Sequence, residues 1–290
     1  SKSTGYNAVM LAAIGELGTM SGRFSPVTPE SLLIGNLAHA QGITGYETNV
    51  MIYSTITTIV LSLIVYIVFK GYKVKTPEIQ EKEQLPAFTG KQIMTLFGFA
   101  VMIVACAVFR RNVGLAAFAV SILLLVLNAA DEKMAIKNVP WSTLLMVTGV
   151  GTLMSIVLKV GGVKLLSGML ASIMTPSTAV GIQGLSAGIL SWFSSALGVV
   201  WPTMVPTVGE IAAQVGVKPD GLITIMCLTA SFAGFSPAST GGSLILAANA
   251  TDPEFTKEKE NKLFLQLFLL SSLLLALTVI AAFAGVYSIL

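Results

Sequence analysis

Phe235-Ser236-Pro237-Ala238-Ser239-Thr240-Gly241-Gly242 interrupts an uncharged stretch that runs from 221 to 251. One crossing of a hydrocarbon core takes about 20 apolar residues in an α-helix, so that stretch is overlong for a single span. Pro removes a backbone donor and Gly lacks a Cβ, so the octapeptide predicts a helix broken in mid-membrane. Nearly the same letters occur earlier. Phe24-Ser25-Pro26-Val27-Thr28 matches the start of the octapeptide, and Ser31-Leu32-Leu33-Ile34 then matches Ser243-Leu244-Ile245-Leu246. Each copy leads, through another apolar stretch, to a long uncharged span, 48–69 in one case and 263–290 in the other. The pattern predicts an internal repeat.

The composition agrees with a bilayer setting. The 290 residues are 54% hydrophobic and 11% charged, and the mean hydropathy is +0.83. A soluble domain carries about 25% charged residues, so the ordinary soluble-enzyme folds drop out. The net charge of +3 comes from 17 Lys and Arg against 14 Asp and Glu, packed into a few short stretches, which leaves no footprint for nucleic acid. Cys106 and Cys227 lie inside apolar runs and read as small buried side chains. The lone His39 cannot make a histidine metal cluster and reads as a helix-end residue.

Residues 48–69, 92–109, 112–130 and 138–158 read as ordinary crossings, and 263–290 is long enough to span with tilt. Residues 165–209 are uncharged for too long to be one helix, and Met174–Ser177 with Thr178 and Ser194-Ser195-Ala196-Leu197-Gly198 cut them. They predict a short interfacial helix followed by two half-length arms of a re-entrant hairpin. The Lys/Glu-rich stretch 70–91 reads as a solvated linker between a first repeat ending in 1–69 and a second in 92–290. The linker, 131–137 and 252–262 share one side with ten Lys, against five Lys and Arg (Arg110, Arg111, Lys159, Lys164, Lys218) on the other. By the positive-inside rule the linker is cytoplasmic.

In lipid an unsatisfied backbone N–H or C=O costs several kcal/mol, so irregular backbone survives only beside protein or a wet cavity. Unwound carbonyls suit a small hard cation, and the start of the following half-helix offers free N–H groups to an anion. Secondary transporters with discontinuous helices show this pattern. Neither tip holds an acidic residue, which favours an anionic substrate. Candidate substrate ligands are Ser25, Thr28, Ser195, Pro237, Ser239, Thr240 and Arg23; candidate cation ligands are Ser194, Ser195, Ala196, Gly198, Ser236 and Ala238. Small residues also line helix contacts in membranes, so packing is the competing reading. Arg23 could meet a carboxylate with its planar fork or pair with Glu16 or Glu30. Glu210 reads as a solvated arm end rather than a proton relay. Pro202 falls in the first turn after the tip, where a missing N–H does no harm, whereas Pro206 kinks the arm or marks a later start.

With Ser194–Gly198, Ser236–Thr240 and the repeat in hand, the chain resembles the divalent anion/sodium symporter family of the ion transporter superfamily, closest to dicarboxylate or malonate carrier-like members. Val139-Pro140-Trp141-Ser142-Thr143-Leu144-Leu145, followed by Gly149-Val150-Gly151, resembles that family's helix before its interfacial helix and hairpin. The family's hairpin tip carries Ser-Asn-Thr, of which only Ser194 or Ser195 is matched here. The resemblance implies sodium as coupling ion at the cation ligands, a small dicarboxylate as substrate, a homodimer and an elevator-type movement. It also implies that this chain is the C-terminal portion of a longer carrier.

The reading is therefore an all-α polytopic transmembrane protein with inverted repeats, a re-entrant hairpin and discontinuous helices, in the inner (plasma) membrane among lipid. Its expected work is transport rather than catalysis, with no organic cofactor. The rivals are a membrane subunit of a binding-protein-dependent carrier, a passive anion channel and a membrane enzyme.

Overall fold

The computed structural model describes residues 6–74, 87–108, 112–139, 141–250 and 256–288. Most of the expected linker, including Lys75, lies outside them, as do Arg110, Arg111, Pro140 and Asp252, and so do the side chains of Ser142 and Thr143.

The chain is all-α. Helix α1 (Ala8–Gly22) and α2 (Pro29–His39) flank the first break, and α3 (Glu47–Val68) is the long helix after it. Then come α4 (Gly90–Ala107), α5 (Val113–Val126) and α6 (Glu132–Lys137). Helix α7 (Trp141–Lys159) turns into α8 (Gly162–Ser172), and α9 (Ala179–Trp192) ends at the Ser194 tip. A helical arm, α10 (Ala196–Val215), leads away from the tip. The halves of the second broken helix are α11 (Pro219–Ala233) and α12 (Thr240–Ala250), and α13 (Lys257–Phe283) is the last long helix.

Two compact units divide the chain. Residues 78–144 form one, in which α4 and α5 pack on each other. Residues 1–77 and 145–290 form the other, which contains both breaks and the hairpin.

Among the described residues three helices, α3, α10 and α13, are each long and apolar enough to cross a membrane. A fourth span is available if the bent pair 148–159 and 162–172, which turns by 80°, counts as one. Three expectations change. The arm after the tip is not half-length, because its 20 helical residues extend about 30 Å at 1.5 Å per residue. Pro202 and Pro206 do not end it; they make it irregular, with a π-turn at Ala196–Val200 and a 3₁₀ turn at Val205–Thr207. The crossing expected at 112–130 is a helix of only 14 residues, which ends before Asn128 takes φ +54°. Helix α13 starts earlier than its uncharged stretch because Thr256 caps it, accepting from the Lys259 N–H at 3.4 Å.

Helix α11 is the centre of the larger unit. Every residue from Gly221 to Ala233 is buried, against α9, α13 and α3. On α9, a Cβ at Gly184 would stand 2.4 Å from Ile225 Cγ1, and one at Gly188 would stand 2.2 Å from Leu275 Cδ1. Small residues thus let the backbones approach, which is how helices associate in lipid, where hydrophobicity gives no preference between partners. Helix α1 packs along α3 in the same unit. Cys227 is buried and Cys106 half-buried.

Candidate functional site

The two breaks adopt one backbone turn. The Ser25 N–H donates to Gly22 O at 3.1 Å, as the Ser236 N–H donates to Ala233 O at 2.9 Å. Thr28 N–H to Ser25 O (3.0 Å) repeats as Ser239 N–H to Ser236 O (2.8 Å), and Leu32 N–H to Thr28 O (3.1 Å) as Ser243 N–H to Ser239 O (3.1 Å). This register pairs Ser243 with Leu32, one residue away from the Ser31 that the letters suggest. Phe24 and Cys227 line one small cavity, whereas a Cβ on Gly241 would lie 3.5 Å from Glu16 Oε1. Along the first broken helix the order is 16 then 24, and beside it the order is 241 then 227. The broken helices therefore pass in opposite senses, as an inverted repeat requires.

Breaking a helix orphans the carbonyls of its last turn. Serines on neighbouring helices add donors to carbonyls of these last turns. Ser54 Oγ on α3 donates to Met20 O at 2.8 Å. In the second half, Ser191 Oγ on α9 donates to Ala230 O at 2.6 Å, and Ser271 Oγ on α13 donates to Ala233 O at 2.9 Å. Ser271 Oγ in turn accepts from Trp192 Nε1 at 3.0 Å. Sequence reasoning passed over Ser54, Ser191 and Ser271 as ordinary span residues. No local signal marked them, since α3 also holds Ser62 and α13 also holds Ser272.

The hairpin tip and the second break meet. Ser239 Oγ donates to Ser194 O at 2.8 Å, and Ser239 is only 4% exposed. Ser194 Oγ is turned back to Leu190 O at 2.6 Å, and Ser195 Oγ accepts from the Gly198 N–H at 3.1 Å, capping the π-turn. Ser195 thus keeps its own hydroxyl proton to donate. The turn of the second break itself needs glycine at 242: a Cβ there would stand 2.3 Å from Ser236 O and 2.4 Å from Phe235 O. Ser236 and Pro237 are buried, while Ala238 and Thr240 are exposed.

The first break meets the second arm of the hairpin rather than its tip. Phe24 packs edge-on against Trp201, with ring centroids 5.9 Å apart, and α2 lies against the arm. Thr28 Oγ1 donates inward, to Arg23 O at 2.5 Å and Ser25 O at 2.8 Å, so the residue equivalent to Ser239 is spent within its own turn. Arg23 stands 3.1 Å from Glu16 and 4.0 Å from Glu30, which offsets its charge locally. Gln41, which the sequence did not single out, joins the first half to the arm. Its Nε2 donates to Val205 O at 3.0 Å and its Oε1 accepts from the Gly209 N–H at 3.0 Å. The side-chain amide thus stands in for an i to i+4 backbone bond where Pro206 disturbs the helix.

Glu210 is half-buried and accepts from Ser167 Oγ on α8, so it ties the arm to that helix rather than standing as a solvated end. His39 ends α2 and meets Glu47 at 3.1 Å. Beside the first break, burial first and Glu47 second push the Tyr46 phenol above its ordinary range, so Tyr46 stays neutral.

At the tip the chain offers carbonyl oxygens with spare lone pairs, one donor hydroxyl on Ser195 and the start of α12, beside which lies the Glu16 carboxylate that Arg23 pairs. Such a set can hold a small cation beside an anion. The site residues come from two segments far apart in sequence, the hairpin tip and the second break, as in transporters with broken helices. No curated protein matches the chain. A model of the citrate transporter family (CitMHS) matches residues 4–230, from before α1 into α11, so both the first break and the hairpin lie inside the match. The protein is accordingly a membrane transport protein rather than an enzyme, and it belongs to the citrate transporter family, within the ion transporter superfamily, whose members are secondary transporters of citrate-type or related anions.

Proposed function

We propose that the protein couples sodium entry to the uptake of small di- and tricarboxylates, of malonate, C4-dicarboxylate or citrate type, across the plasma membrane as a multi-pass homodimer. The observation that carries this reading is the bond from Ser239 Oγ to Ser194 O, which joins the hairpin tip to the second break. Sodium takes carbonyls of Ser194, Ala196, Gly198, Ser236 and Ala238, and the Ser195 hydroxyl. The anion meets Ser195, Ser239 and Thr240 with the start of α12 behind them. Because one junction serves both ligands, ion occupancy sets the anion site, and the two affinities are reciprocally linked. The hairpin and broken helices then move as a body against the remaining spans.

Uptake of labelled citrate, succinate and malonate into proteoliposomes tests this, with and without a sodium gradient and at several pH values. Sodium-dependent accumulation against the substrate gradient is the expected result. Accumulation driven by pH alone replaces sodium with protons, and equilibration without accumulation makes the protein a channel. A requirement for a separate soluble binding protein would select the binding-protein-dependent carrier instead.

A further inference from the structure

Hydrogen bonds close a circuit through the hairpin tip, the second break and α13. It runs from Trp192 Nε1 to Ser271 Oγ (3.0 Å) and from Ser271 Oγ to Ala233 O (2.9 Å). Ala233 O also accepts from the Ser236 N–H (2.9 Å), and Ser236 O accepts from the Ser239 N–H (2.8 Å). Ser239 Oγ then donates to Ser194 O (2.8 Å), which brings the circuit back to the end of the hairpin arm that carries Trp192.

The proton order along the circuit is fixed. An indole N–H can only donate, so Ser271 Oγ accepts from it and its single proton is left for Ala233 O. Ser271 is fully buried on α13. The indole lies against Phe268, with ring centroids 5.6 Å apart, and Phe268 stands one turn before Ser271 on the same face of that helix. Serial bonds of this kind polarise one another. Ala233 ends α11, so two donors on its carbonyl pin the point where the chain leaves the helix, just before the Ser236 and Ala238 carbonyls. The first break has no return bond of this kind, because Thr28 Oγ1 donates within its own turn.

We infer that Trp192 and Ser271 are positioning residues of the cation site. They hold the turn of the second break against the tip, so that the carbonyls of both stand gathered before the ion arrives. The inference rests on the sodium reading given above and adds the residues that set the affinity of that site. Ligands that must be gathered at the moment of binding cost affinity, so loosening the circuit at Ser271 falls on sodium first. Bound sodium then holds tip and break together by itself, and saturating sodium restores the anion site.

Citrate binding to the purified full-length protein at a series of sodium concentrations tests this, with Ser271→Ala, Trp192→Phe and Ser191→Ala beside the parent. Trp192→Phe removes the indole N–H and keeps an aromatic ring, so it decides the matter if Ser271→Ala fails to fold. Ser191 Oγ donates to Ala230 O at 2.6 Å and is likewise buried between α9 and α11, but it lies outside the circuit and serves as the packing control. The sodium concentration for half-maximal citrate binding should rise roughly three- to tenfold in Ser271→Ala and Trp192→Phe, the range expected for one net hydrogen bond, while citrate affinity at saturating sodium stays within about twofold of the parent. Ser191→Ala should lower the thermal unfolding midpoint and leave the sodium requirement at the parent value. An unchanged sodium requirement in either folded circuit variant, or an equal rise in Ser191→Ala, reduces the circuit to packing and overturns the inference while the sodium reading stands. Absence of citrate binding in the parent, or binding indifferent to sodium, overturns both.

Discussion

Ser239 donates its hydroxyl to the backbone carbonyl of Ser194 at 2.8 Å, the direct bond between the second broken helix and the hairpin tip. Its counterpart Thr28 makes no such bond and turns into its own loop. The repeat is therefore symmetric in backbone and asymmetric in use. Ser239→Ala should leave the Ser194 carbonyl without this partner, at a cost of about 1–3 kcal/mol in stability. Ser239→Val should also crowd the tip and weaken sodium activation and citrate affinity together. Citrate binding at several sodium concentrations checks this; sodium activation unchanged in both variants would remove the junction from the ion site.

Gly242→Ala should be among the most damaging single-methyl changes in the chain. The added carbon would press on the Ser236 and Phe235 carbonyls at 2.3 and 2.4 Å, and backbone on that side gives way only by opening the break. A cost of about 2–3 kcal/mol is expected. Gly15→Ala is the control: nothing lies within 4 Å of the new carbon, and a helix interior gains roughly 0.5–1 kcal/mol from Ala over Gly. Thermal unfolding midpoints of the two variants should move in opposite directions.

Arg23 pairs with Glu16 and Glu30, so its replacement should act on stability before affinity. Arg23→Lys keeps the charge and should leave the apparent Michaelis constant within about twofold, since the ion pair needs no planar fork. Charge reversal by Arg23→Glu should destabilise, and a second change, Glu16→Arg, should restore about 1 kcal/mol of coupling. A many-fold rise in the Michaelis constant of Arg23→Lys at normal expression would instead make the guanidinium a substrate ligand.

Gln41 bridges Val205 O and the Gly209 N–H across the disturbed turn of α10. Gln41→Leu removes both bonds and should cost about 1–3 kcal/mol, and Gln41→Glu should cost no less, because a carboxylate cannot donate to Val205 O. Hydrogen exchange should then speed up at Gly209 in α10 while α9 stays protected. Equal protection in parent and variant would show that the arm needs no clip.

The ten-to-five charge asymmetry predicts sidedness. A single Cys at Lys75 or Lys259 should resist an impermeant thiol reagent added outside intact cells, while one at Arg111 or Lys218 should react. The opposite pattern would invert the orientation.

The sequence by itself determined the helical class, the membrane setting and the position of each break. Hydropathy and the helix-breaking chemistry of Pro and Gly act locally, so Ser25-Pro26 and Ser236-Pro237 announced their turns without knowledge of any neighbour. The letters also paired the two halves, although they put Ser243 against Ser31 where hydrogen-bond register puts it against Leu32. Composition could not measure the hairpin's second arm. Pro206 read as a kink or a later start, but a packed helix absorbs it by 3₁₀ adjustment and by the amide of Gln41. Tertiary structure alone decided which carbonyls found partners and which side chain served the tip. Ser54, Ser191 and Ser271 look like any other small residue in a span, and the sequences of Thr28 and Ser239 give no sign that one hydroxyl turns inward and the other crosses to Ser194. A hydrogen bond depends on distance and direction between atoms brought together by folding, and neither is written in the order of residues.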